Sequence, residues 1–160
     1  MNVVELLKED HREALELLER LENMESELEA DEEGVEVLPT DLFTQLKNAL
    51  TLHTQEEEQV FYPAMREFDE TREQIAEAIE EHQAVDQLLE EMADLSPEDE
   101  EFQNKLEELR ENLEHHMEEE EDDLFPKAEE LCEPKRLDEM GRQIQKMKQG
   151  RSAAATSRRK

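Results

Sequence analysis

Tryptophan is absent from this chain, and tyrosine and cysteine occur once each, as Tyr62 and Cys132. With 4% aromatic residues, the chain lacks the side chains that pleated strands favour, which argues against a sheet protein. A lone cysteine rules out an internal disulfide and any Cys-rich zinc site, and it points to a reducing compartment. Three glycines leave no Gly-rich loop to cradle a phosphate. Nor does a Ser-His-Asp order or a Cys-His nucleophile occur. Positive charge is also scarce: 18 Lys and Arg stand against 48 Asp and Glu, a net charge of -30. Such a surface repels nucleic acid and anionic membrane, and excludes both as partners. No run approaches the roughly 18 apolar residues of a membrane span, and no basic-then-apolar leader opens the chain. A cytoplasmic protein is expected.

What fills the chain instead is Glu, Leu, Lys and Ala, all good helix formers, so an all-α fold with one domain is predicted. Asn2 caps a first helix with Glu5 at its third position, and the apolar stripe carries it to about Glu29. Residues 30–39, with Gly34, read as a loop. Thr40 caps a second helix that kinks at Pro63 and continues to about Phe68. A third begins near Thr71 and stops before Ser96-Pro97, a cap and first-turn proline that open the fourth. The fourth kinks at Pro126 and fades near Cys132. Residues 1–132 therefore form an up-down-up-down four-helix bundle, residues 133–149 a short C-terminal fifth helix, and residues 150–160 a disordered basic tail.

Each bundle helix carries a histidine where its stripe calls for leucine. His11 falls in line with Leu7, Ala14 and Leu18, and His82 with Ile75, Val85 and Leu89. On the second and fourth helices the pattern is His53-x-x-x-Glu57 and His116-x-x-x-Glu120, a helical spacing that aims an imidazole and a carboxylate at one point. Both copies are followed, nine and ten residues past the His, by an aromatic and a proline: Tyr62-Pro63 and Phe125-Pro126. The lone His11 and His82 are each followed at the same offsets by Leu17-Leu18 and Leu88-Leu89, so the two halves are repeats. An ionised carboxylate alone in a core costs several kcal/mol, and the facing stripes offer no Lys or Arg. A cation must come from elsewhere. Imidazoles and carboxylates together suit iron or manganese better than Ca²⁺ or Mg²⁺, with zinc also possible.

His115 lies off the stripe, about 100° from His116, and reads as a surface or outer group. Tyr62 could donate a hydrogen bond toward the site, but it lies about 180° from His53 on an ideal helix, which favours packing or an exposed phenol. Met24, Met92 and Met117 read as core or boundary fillers. The acidic runs around Glu57 and Glu120 hold one expected ligand each, and their remaining members read as solvated faces.

The four histidines with two His-x-x-x-Glu pairs and downstream aromatic-Pro steps resemble the hemerythrin-like HHE cation-binding domain over about residues 1–132. The resemblance implies two iron ions joined by an oxo or hydroxo group, with one position open to O₂ or a related small molecule such as peroxide or nitric oxide. It assigns His11 and His53 to one iron, His82 and His116 to the other, and Glu57 and Glu120 as bridges. Oxygen-carrying members have a further His where this chain has Asp86, which moves the expectation from carrier toward binding or sensing. Asp86 is then a candidate extra ligand. Thr54 stands where some relatives place a ligating Glu after the second-helix His. The rival readings are a di-iron enzyme acting on peroxide or donating iron for cluster repair, and a metal-free acidic interaction module.

Overall fold

The structure, a computed structural model, describes residues 1–23, 29–30 and 36–158. It is all helical apart from a two-residue antiparallel ladder of β1 (Glu29–Ala30) with β2 (Glu36–Val37), which lies within the stretch expected to be loop. Helix α1 runs Val3–Glu22, and Asn2 caps it by accepting from the Glu5 N–H. It stops short of the expected Glu29, and Met24 and Gly34 lie outside the described residues. Helix α2 (Pro39–Glu56) starts one residue before Thr40, because Pro39 takes the first turn and Leu38 precedes it as cap. Helix α4 (Asp69–Ala93) is the third bundle helix, and α5 (Glu100–Glu119) the fourth. The cap of α5 is Asp99, not Ser96: Ser96 and Pro97 form a turn in which the Asp99 carboxylate accepts from the Ser96 N–H.

The expected proline kinks are resolved in a different way. Ahead of each proline the helix widens into a π-helical segment, Glu57–Phe61 in the first half and Glu120–Leu124 in the second, before resuming as α3 (Tyr62–Met65) and α6 (Phe125–Leu131). The Tyr62 N–H reaches back five residues to the Glu57 carbonyl, and the Phe125 N–H to that of Glu120. Proline lacks an N–H and its ring crowds the carbonyl four residues earlier, so a widened turn relieves a clash that a regular helix would suffer.

The fifth helix, α7, runs Pro134–Arg158, well beyond the short element expected. The stretch read as disordered includes Ala153, Ala154 and Ala155, the best helix formers, and the helix continues through them. Helix α7 packs on α1, α2 and the first π segment. Gly141 makes that approach possible, since a Cβ there would lie 2.5 Å from the Met1 carbonyl oxygen. No described helix is long and apolar enough to cross a membrane.

The core comes in two pieces. Val3, Leu7, Phe61, Met65, Ile75, Leu124 and Ala128, with Leu137, Met140 and Ile144 of α7, form one cluster. Leu18, Leu42, Leu46, Leu89, Met92, Phe102, Leu109 and Met117 form the other. Along every bundle helix the histidine falls between them: residue 11 between 7 and 14, 53 between 50 and 61, 82 between 78 and 85, 116 between 113 and 124. The antiparallel arrangement thus stacks four histidines into one polar layer across the bundle.

Candidate metal centre

The layer gathers all six residues expected from the sequence. His11, His53, Glu57, His82, His116 and Glu120 are each buried, none more than 6% exposed. Ligand atoms of His11, His53, Glu57 and Glu120 lie within 4.8 Å of one another, as do those of Glu57, His82 and His116. Glu57 belongs to both groups. The rings pair in matching fashion, His11 with His53 and His82 with His116, both at 4.8 Å between centroids and edge to face.

Every one of the four imidazoles is held from behind by a carboxylate. His11 Nδ1–H donates to Glu121 (2.8 Å), His53 Nδ1–H to Asp10 (3.1 Å), His82 Nδ1–H to Glu58 (3.1 Å) and His116 Nδ1–H to Glu81 (2.7 Å). The pattern repeats between halves. Asp10 and Glu81 each directly precede a lone His, and Glu58 and Glu121 each directly follow a core Glu. Such partners fix the tautomer and ring orientation, and leave the Nε2 lone pair for a metal.

With Nδ1 engaged outward, all four Nε2 atoms face inward. His11 Nε2 lies 3.1 Å from Glu120 Oε1, His53 Nε2 3.2 Å and His82 Nε2 3.0 Å from Glu57 Oε1, and the Nε2 atoms of His82 and His116 are 3.1 Å apart. His53 Nε2 and Glu57 Oε2 are buried without a hydrogen-bond partner. Lone pairs at such separations repel unless cations sit among them. Protons can do so: burial disfavours a charged His53, yet the neighbouring Glu57 charge and the hydrogen bonds to Asp10 and Glu57 push its pKa up to about 10. His11 and His116 are also raised against burial, by Glu120 and their other carboxylate partners, while the charge of His53 helps hold buried Glu57 well below the carboxylate range. Imidazole nitrogen and carboxylate oxygen are equally a donor set for first-row divalent metals, and the residues fit such ions.

Ideal helical spacing favours packing or an exposed phenol for Tyr62, and the structure shows the less favoured alternative, a hydrogen bond toward the site. The π segment between Glu57 and Tyr62 advances each residue by less than the roughly 100° of an α-helix, and so swings the phenol inward. Its hydroxyl is fully buried, donates to Glu120 Oε2 (2.8 Å), and lies 3.1 Å from Glu57 Oε1, 3.2 Å from His82 Nε2 and 3.5 Å from His116 Nε2. Its ring stacks on His82, as that of Phe125 stacks on His11. The acidic runs also hold more than solvated faces. Glu58 and Glu121 back two histidines, and Glu56 is 0% exposed. The signal for these carboxylates was the duplication itself, applied to positions flanking the repeated His and Glu.

Around His53 a further layer forms. Lys148 of α7 places Nζ 2.6 Å from Asp10 Oδ1 and 2.8 Å from Glu56 Oε1. Burial pushes Glu56 up, to a pKa of about 8, aided by its contact with Asp10. Asp10 is held down at about 2 despite its burial, by His53, Glu56 and Lys148. His115 is 64% exposed on its side chain and pairs with Glu81 and Glu119, outside the central groups. Asp86 is exposed and joins none of the described clusters.

A four-helix bundle with a buried layer of four histidines and two carboxylates, one of them common to both groups, defines a cation-binding helical domain. The comparisons agree: the family model described as Hemerythrin HHE cation binding domain matches residues 2–128, and the chain belongs to that family. Among solved structures it is similar to the crystal structure of a Hemerythrin HHE cation binding domain-containing protein from Mycobacterium kansasii, described as an Rv2633c homolog. The two are 26% identical with a TM-score of 0.78, over 99% of this chain and 93% of the other. No curated protein matches it.

Proposed function

We propose that the protein is a non-haem di-iron protein that binds or senses O₂ or a related small molecule, peroxide or nitric oxide. The observation that carries this reading is the convergence of four Nε2 lone pairs and two carboxylates in one buried layer, each imidazole braced by its own carboxylate. His11, His53, Glu57 and Glu120 would hold one ion, and Glu57, His82 and His116 the other, with Glu57 common to both groups and Glu120 also 3.3 Å from His116 Nε2. Two such ions would supply redox-active Lewis acids able to take up a small oxidant. Both groups, of four and three protein atoms, fall short of the about six of an octahedral ion, and the three-atom group would leave more room for a ligand. Tyr62 stands at that side, where its hydroxyl can donate a hydrogen bond to what binds.

That phenol also favours a second reading, turnover of peroxide, because a buried proton donor beside an open position is what cleavage of an O–O bond needs. A metal-free interaction module is poorly served by buried lone pairs in mutual contact. Metal analysis followed by anaerobic reduction and exposure to O₂ tests the proposal. About two irons per chain with a reversible visible spectrum supports binding or sensing. Irreversible bleaching with peroxide consumption supports the enzyme, and a stable protein that takes up no metal overturns both.

A further inference from the structure

Beyond the six central residues, the structure contains a third group with metal-ligand geometry: Asp10, His53 and Glu56, whose ligand atoms also lie within 4.8 Å of one another. A cation is already in it. The Lys148 ammonium lies 2.6 Å from Asp10 and 2.8 Å from Glu56, and it comes from α7, a helix outside the four-helix bundle. Asp10 uses its two oxygens in opposite directions. Oδ1 takes Lys148 and Oδ2 accepts from His53 Nδ1–H at 3.1 Å, so a continuous chain of polar contacts leads from the last helix into the polar layer.

The internal repeat supplies a comparison within the molecule. In the second half the place of Asp10 is taken by Glu81, which holds His116, and the place of Glu56 by Glu119. There the partner of both carboxylates is His115, exposed and on the same bundle helix as Glu119. Among the described residues, the main contacts of α7 are with α1, α2 and the first π segment, on the first half. Water can replace the exposed His115. The Asp10–Glu56 pair has less access to water, because Glu56 is fully buried, and the partly exposed Lys148 meets both acidic side chains at once.

We infer that Lys148 is a positioning residue for one metal position only, holding Asp10 against His53 and keeping a metal out of the adjoining Asp10–His53–Glu56 group. The inference rests on the two-metal reading above. Removing Lys148 takes away the donor that Asp10 and Glu56 both face, and Asp10 is then free to turn from His53. The ring of His53 loses its brace, and the ion it shares with His11 is held less tightly. The ion at His82 and His116 keeps its own supports, Glu58 and Glu81, and is unaffected. Loss of such an outer partner typically costs about 10-fold to 100-fold in metal affinity.

The test is anaerobic titration of the metal-free full-length chain with Fe²⁺ against a competing chelator, resolving the two binding steps. Lys148→Met keeps the aliphatic stem and removes the charge, Lys148→Arg restores a cation, and Lys146→Met removes an exposed charge from the same helix. The expected result is one step weakened about 10-fold or more in Lys148→Met, the other unchanged, with Lys148→Arg close to wild type and Lys146→Met indistinguishable from it. Equal weakening of both steps with a lower melting temperature would show a purely structural role and overturn the inference, as would two unchanged steps. Wild-type protein that fails to take up two ions removes the di-metal reading itself, and is told apart because it fails before any variant is made.

Discussion

The Tyr62 hydroxyl donates to Glu120 from 2.8 Å across the bundle, while Phe125, at the same place in the other repeat, has no hydroxyl and only stacks on His11. One half of a nearly symmetric centre therefore carries a proton donor and the other does not. Tyr62→Phe makes the halves alike. It should fold and bind metal as wild type does, because the ring still stacks on His82. Small-molecule binding should weaken about tenfold, the worth of one hydrogen bond to a charged group, as read by azide titration of the metal-loaded protein. Unchanged azide affinity would remove the phenol from the open position.

Glu57 belongs to both ligand groups and Glu120 to one. Glu57→Ala should therefore take the metal content from about two ions per chain toward none, while Glu120→Ala should lose the ion at His11 and His53 first. His115→Ala should leave the content unchanged, since that side chain is exposed and outside the layer. Elemental analysis of purified variants decides each case.

The metal-free protein should be most stable in mild acid. His53 has its pKa raised from 6.5 to about 10, so its contribution is complete below 6.5 and is lost as pH rises toward 10. Glu56 is raised from 4.5 to about 8, which also removes stability as pH rises across that window. Asp10 and Glu57 are lowered, and their contributions disappear as pH falls below the ordinary carboxylate range. The optimum should lie at about pH 5 to 6. In Glu56→Gln the loss between 4.5 and 8 should flatten, as chemical denaturation at several pH values will show.

Metal should replace those protons. Loading at a free ion concentration 100-fold above Kd adds about 3 kcal/mol per site, roughly 5–10 °C in melting temperature for a chain of this size. The upward pH slope of instability should vanish with it, because the lone pairs then face a cation that does not titrate away. A chelator should reverse both effects; identical melting curves with and without metal would contradict a resident ion.

Much of this arrangement is legible in the sequence because a helix repeats every 3.6 residues. His11, His53, His82 and His116 fall on the apolar stripes, and one His-x-x-x-Glu spacing accounts for each central carboxylate. Tyr62 escapes the same rule since its position depends on a π turn, a local change of period that no stripe announces. Asp10, Glu58, Glu81 and Glu121 sit beside the stripe and reach histidines of other helices, so their partners depend on how the helices pack. Lys148 is hidden for a stronger reason. Its role depends on where α7 docks, and that is decided by the close approach of Gly141 to the start of α1.

The two apolar clusters share no residue, so hydrophobic cooperativity stops at the histidine layer from either side. Without ions the molecule is two short bundles placed end to end, joined by charge pairs and backbone. Either end is then expected to open by itself in hydrogen exchange, as a separate unit. Ions bound by residues from all four helices would rivet those units together, and occupancy of the centre would be read along the whole length of the bundle as a single unfolding event.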